Sequence, residues 1–310
     1  MNNLKYKNIK MNKELLKNSE ILYKYDNWSD IVTIYTDGTK IRENLNNNIR
    51  TKQPESIDLK ITNYCNAWCQ YCHENSNIDW LHWILNIDFF KWIIPWMEVA
   101  IGWWNPLDHP WLISFLRDLK SLGIITNITI NSIHLTQEKY INLTRLLIQE
   151  ELVYGIGISY NSNFFDKIPN DIKNYKNAVI HVIFWLVWIK DFDILKWFKI
   201  LILWYKNHWR WINYKNIKQL EYSNKLIYSL LWKEHLCFDN LAIKQLKLLD
   251  VLNPELVKDV YMWWDWENTF YVDLVKWSYS ITSYKKFNMK LENTLLECYS
   301  NILKLKENIK

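Results

Sequence analysis

The chain has 310 residues, 49% hydrophobic and 23% charged, with a formal net charge of +5. That balance excludes an intrinsically disordered chain, and 5 glycines with 6 prolines exclude collagen and low-complexity linkers. No apolar run suits a bilayer (residues 178–189 are too few and hold His181) and no apolar h-region follows the basic start, so a cytoplasmic protein with no membrane partner is expected. Residues 1–55 read as an N-terminal extension with a probable β-hairpin: a strand over 31–35, the turn Asp37-Gly38, and a second strand from Lys40. From 56 to 212, strand patterns at 57–62, 97–101, 125–130, 154–159, 178–183 and 200–203 alternate with helical ones near 86–95, 109–122, 136–149, 164–175 and 190–198. The clearest helix has Pro110 in its first turn, Leu112, Phe115, Leu116 and Leu119 on one face, and Gly123 at its stop. About six strand–helix units predict an α/β fold with a parallel sheet and right-handed crossovers, best drawn as a partial (β/α)6 TIM-type barrel, with a doubly wound open sheet as the alternative. Residues 213–310 read as an α+β appendage, with helices near 214–232, 240–249 and 286–305 and a strand near 269–275.

One count is abnormal. A chain of this size should hold about 22 glycines at the usual ~7%, yet it holds 5, against 20 tryptophans. The tryptophans stand where glycines belong. Trp103-Trp104-Asn105-Pro106 follows a strand that should turn tightly, Trp209-Arg210-Trp211 follows an apolar run, and 262–266 fills a turn with indoles. The pattern predicts that most of them are glycine in the living cell, through a UGA codon that the organism reads as glycine. Heavy Lys, Asn and Ile usage fits the AT-rich genome in which such a reassignment arises. The alternative is a truly Trp-rich protein with aromatic anchors for a ligand or partner.

The chemistry sits in Cys65-Asn66-Ala67-Trp68-Cys69-Gln70-Tyr71-Cys72, a Cys-x3-Cys-x2-Cys loop directly after the first strand of the series. Three of five cysteines within eight residues do not form an extracellular disulfide framework. Three thiolates on one loop can grip three irons of a cubane cluster and leave the fourth open. Two alternatives use His73. It could complete a zinc site with the three cysteines, although Cys72 and His73 are adjacent and would strain to face one tetrahedral ion. It also completes Cys-x-x-Cys-His, the haem-attachment spacing, which belongs with exported chains.

The cysteine loop, with Tyr71 before its last cysteine and a strand before it, resembles the radical S-adenosylmethionine (SAM) superfamily over roughly residues 55–210. The resemblance implies a 4Fe–4S cluster on Cys65, Cys69 and Cys72 whose open iron chelates SAM, and reductive cleavage of SAM to a 5′-deoxyadenosyl radical that takes hydrogen from a substrate. It also implies a glycine-rich segment at the end of the second strand, met here by Gly102, Trp103, Trp104 and Asn105. With glycine at 103 and 104 the match is good, although Asn105 stands where Glu is common. Taken literally, two indoles would fill the SAM methionyl site. By the same resemblance Asn131 and Ser159, at the ends of the third and fourth strands, reach toward the ribose or carboxylate of SAM. Residues 179–185 and 203–205 lie where the family contacts adenosine.

Other positions carry less. His181 alternates with apolar neighbours and reads as a core or barrel-interior histidine, His73 and Glu74 as neighbours of the loop, and Lys206, His208 and Arg210 as a basic group after the sixth strand. Cys237 and Cys298, far apart, cannot hold an auxiliary cubane and read as buried structural thiols. The substrate is a peptide or protein, or a nucleoside or RNA, since the net charge leans only weakly toward a polyanionic nucleic acid. The electron donor expected from the resemblance is a flavodoxin or ferredoxin. The rival of another class is a non-enzymatic metal-binding interaction protein, with zinc or an iron–sulfur cluster and tryptophan stacking platforms.

Overall fold

The structure, a computed structural model, describes residues 20–44 and 51–309 apart from 29, 73, 80, 81, 83, 103, 205, 207–216, 232–235, 253, 255–267 and 284–286. Three antiparallel strands open the chain: β1 (Ile21–Asn27), β2 (Asp30–Tyr35) and β3 (Lys40–Asn44). The predicted hairpin is β2–β3, turning at Gly38 with φ 90°. β1 escaped the sequence because most of its residues are exposed and show no apolar alternation. Tyr25, Val32 and Ile34 bury with Ile125 in a small core of their own. Arg42 ties this sheet to the next strand through Glu55, with Nε donating to Oε1 at 2.7 Å.

Six parallel strands then follow in chain order, each hydrogen-bonded to the one before: β4 (Ser56–Lys60), β5 (Glu98–Ile101), β6 (Ile125–Asn131), β7 (Gly155–Ser159), β8 (Ala178–Ile183) and β9 (Ile200–Leu203). They run on without the reversal of order that separates the halves of a doubly wound sheet. The crossovers include α1 (Leu112–Ser121), α2 (Glu138–Gln149), α3 (Asn170–Lys173) and α4 (Ile189–Leu195). The helix expected near 86–95 is only a 3-10 turn, Ile87–Phe90.

The later elements join the same sheet at both edges. After α5 (Ile217–Leu230), β10 (Leu236–Phe238) pairs with β9, and α6 (Asn240–Gln245) follows it. Cys298 is buried as expected, but Cys237 is exposed, because β10 is the edge strand of the sheet. β11 (Thr269–Asp273) pairs in parallel with β4 on the far side. β12 (Ser278–Ser280) and β13 (Met289–Lys290) extend that edge antiparallel, before the last helix, α7 (Leu295–Ile309).

The strands divide their residues by face, as a two-residue period requires. Ile57, Leu59, Val99, Ile101, Ile128, Ile130, Ile156, Ile158, Ile180, Val182, Ile200 and Ile202 are essentially inaccessible and belong to the same core as Leu112, Phe115, Leu116 and Leu119 of α1. Each such burial stabilises by about 1.5–3 kcal/mol relative to exposure. The residues between them, among them Asp58, Ala100, Thr129, Asn131, Ser159 and His181, line a cavity.

Candidate functional site

Beyond β4 the backbone leaves the sheet and is held at several points. The Tyr64 N–H donates to Thr62 Oγ1 at 3.0 Å, and the Cys65 N–H to the Asn77 carbonyl at 2.8 Å. The Cys72 N–H closes back onto the Cys69 carbonyl at 3.1 Å. The loop is also pinned from outside, by His134 Nε2 at 2.8 Å from Asn66 Oδ1, in the segment between β6 and α2. Two N–H groups point at the sulfurs themselves. The Ser76 backbone N–H lies 3.4 Å from Cys72 Sγ, and Asn131 Nδ2 lies 3.4 Å from Cys69 Sγ.

Cys65, Cys69 and Cys72 all line one cavity of about 480 Å³, together with strand-end residues from β5 to β9. Asn131, Ser159 and His181 stand side by side there, in direct register across β6, β7 and β8. Glycine makes this wall possible. A Cβ on Gly157 would lie 2.5 Å from His181 Cε1, and one on Gly102 would lie 3.0 Å from Thr129 Cβ. Both positions need the closest backbone approach, which only glycine allows. Ile183, Leu201, Leu203 and Trp204 make an apolar side to the cavity, whereas Lys206, Asp239 and Tyr271 face it from the chain after β9.

Of the residues singled out in the sequence, the three cysteines, Gly102, Trp104, Asn131 and Ser159 meet at this cavity. Asn105 is buried and turned elsewhere, its Nδ2 donating to Asp108 Oδ2 at 2.6 Å. Trp103, His73, His208, Arg210, Trp209, Trp211 and the 262–266 turn lie outside the described residues. His181, expected as an interior histidine, lines the cavity, and the sequence signal of its reach across β7 is Gly157. Nothing in the sequence marks Thr129, Tyr271 or Asp239 as residues of the site. Nor does it show Lys60, a buried cation whose Nζ lies 3.1 Å from Glu74 Oε2 and 3.8 Å from Asp273 Oδ2.

The electrostatics favour neutral forms in the protein alone. Burial pushes the Cys65 thiol up to about 12, and its neighbours Cys69 and Cys72 add to the rise. A bound metal reverses that balance, because coordination deprotonates a thiol outright. Burial also lowers His134 and His181 to about 4, so both imidazoles are neutral near pH 7. Lys206 is lowered by burial, against the opposing pull of Asp239, Asp58 and Glu74.

The donor set fits an iron–sulfur cluster: three thiols on one loop with N–H donors already on two sulfurs. Among the described residues no three His, Cys, Asp or Glu side chains converge closely enough for a single metal ion. No described helix is long and apolar enough to cross a membrane.

The fold and site define a mixed α/β protein with a large parallel sheet and a cysteine-bearing cavity at the carboxyl ends of its strands. Among solved structures, the fold is similar to that of Streptococcus suis SuiB. The crystal structure of SuiB bound to S-adenosylmethionine matches with a TM-score of 0.56 at 13% identity, over 81% of this chain and 68% of that one. SuiB bound to its precursor peptide SuiA matches with a TM-score of 0.54 at 14% identity, over 80% of this chain and 65% of that one. The chain therefore spans about two thirds of the length of SuiB. No protein-family model and no curated protein sequence matches it.

Proposed function

We propose that the chain is a radical SAM enzyme with one catalytic 4Fe–4S cluster. Its catalytic part would be a partial (β/α)6 barrel over 56–212, flanked by the extension 1–55 and the segment 213–310. The observation that carries this reading is the opening of all three thiols, from a single loop after β4, onto the cavity at the strand carboxyl ends. The likeness of the fold to SuiB, a radical SAM enzyme, supports it.

Cys65, Cys69 and Cys72 would hold the cluster and leave one iron for the amino and carboxylate groups of SAM. When bound, the cluster supplies the electron that cleaves SAM to methionine and a 5′-deoxyadenosyl radical, which takes a hydrogen atom from the substrate. The chain's own residues position and protect. Asn131 and Ser76 hold two sulfurs through N–H donors, as outer-shell groups do at metal sites. Gly102 keeps the main chain after β5 close against Thr129. Ser159 and neutral His181 offer uncharged polar groups beside Asn131, and the apolar side from β8 and β9 excludes water from a reactive radical. The substrate on this reading is a peptide, supported by the SuiA-bound form of SuiB. A flavodoxin or ferredoxin would deliver the electron.

Anaerobic loading with iron and sulfide tests the cluster. Iron and sulfide should bind in cubane stoichiometry, and the electron paramagnetic resonance signal of the reduced cluster should change when SAM is added. Stoichiometric zinc without iron uptake would overturn the reading.

A further inference from the structure

We infer that the residues written as Trp28, Trp68, Trp92, Trp96 and Trp277 are glycine in the protein as the source cell makes it. The observation is the backbone itself. Nine non-glycine residues among those described have positive φ, and five of them are these tryptophans, at 65°, 50°, 70°, 77° and 56°. Left-handed backbone crowds any Cβ against the following carbonyl, and glycine alone escapes that cost. A bulky ring at such an angle is a genuine outlier.

Three of the five sit in turns that call for glycine by type. Asn27 pairs with Asp30, so Trp28 is the first of two loop residues in the β1–β2 hairpin. Both hairpin turns of that length require positive φ there, and the type II′ turn takes glycine at that first position. Trp92 follows Lys91, the C-cap of the 3-10 turn Ile87–Phe90. Gly123 holds the matching position after α1, where Leu122 is the C-cap, at φ 72°. Trp96 is the third residue of the turn Ile94-Pro95-Trp96-Met97, closed by the Met97 N–H on the Ile94 carbonyl at 3.5 Å. Proline second and glycine third is the signature of a type II turn. Trp277 is the last residue of the β11–β12 loop, before Ser278, which pairs with Asp273. Trp68, the fifth, bends the cysteine loop just before Cys69.

Trp96 is half-buried and stacks on Tyr23 with ring centroids 4.2 Å apart, but the other four indoles do not repay the strain with burial. Trp28, Trp68 and Trp92 are 64%, 60% and 79% exposed, and Trp277 is 42% exposed. Trp104 joins the set on different grounds, and that part rests on the proposed SAM site. It is 3% exposed, lines the cavity one loop away from the cysteines, and has Lys60 Nζ 4.4 Å from its ring. As glycine it would return that volume to the cavity.

Peptide mass spectrometry of the protein purified from its source cells tests the inference. Glycine should be found at 28, 68, 92, 96 and 277, and tryptophan at those positions would overturn it. Recombinant chains with Trp, Ala or Gly at the same five positions test the backbone argument. Alanine removes the ring but keeps the Cβ, so the unfolding midpoint should rise from Trp to Ala and again from Ala to Gly. A glycine chain no more stable than the alanine chain would contradict it. If the glycine chain bound no cluster, the proposed function would fail while the mass measurement still decided the residues.

Discussion

The loops after β4 and β5 are neighbours at one end of the sheet, and they are written very differently. The β4 loop spells out its chemistry in three cysteines, held by Ser76, Asn131 and His134. The β5 loop keeps Gly102 but then places Trp104 in the cavity. A loop that grips a metal is specified by side chains, so its residues can be read directly. A loop that cradles a ligand with its backbone is specified by missing side chains, and one wrong residue type hides it.

The contrast can be broken most severely at the β4 loop. Cys69→Ala should abolish cluster binding, seen as loss of bound iron after anaerobic loading. On the β5 side, the double change W103G/W104G should convert a chain with no measurable SAM binding into one that binds it, by equilibrium dialysis of the loaded protein. Unchanged binding would show that the ring is not the obstacle.

The pin between the β4 loop and the segment before α2 predicts a pH effect. Unfolded His134 takes up a proton below its ordinary 6.5, whereas folded His134 stays neutral down to about 4. The unfolded state therefore binds more protons in that window, so stability falls as pH drops from 6.5 to 4 and this contribution levels off below. The full loss is on the order of 3 kcal/mol. Denaturant midpoints of the protein and of His134→Gln at pH 7 and near pH 4 should diverge by that contribution, and parallel curves would contradict it.

Smaller effects sharpen the wall between the loops. Gly157→Ala places a methyl group against His181 and should destabilise by about 1–3 kcal/mol in denaturant titration, as overpacking does. Asn131→Leu removes an N–H donor from Cys69 and should move the cluster potential to more negative values, with iron content unchanged.

The alternation of strands and helices was legible because each strand carries a buried apolar face. Five of the six parallel strands fall within one residue of their predicted bounds at both ends, and the sixth starts one residue early and stops two short, at Lys60. The cap of α7 was missed, although its spacing is in the sequence: Thr294 and Glu297 exchange backbone and side-chain hydrogen bonds, three residues apart. The helix was expected from 286, because the apolar residues of β13 and its turn blend into its pattern. The 86–95 segment failed as a helix because Trp92 and Trp96 turn the backbone left-handed and Pro95 stands between them. Lys60 was invisible for another reason. Its partner Asp273 comes from β11, which only the fold brings beside β4.

The most direct test of the account is the formation of 5′-deoxyadenosine by the chain with glycine at the five left-handed positions and at 103 and 104, loaded with iron and sulfide and reduced without oxygen. The account predicts release of the nucleoside that depends on the reductant and disappears in Cys69→Ala. An iron-loaded, reduced chain that leaves SAM intact would contradict it.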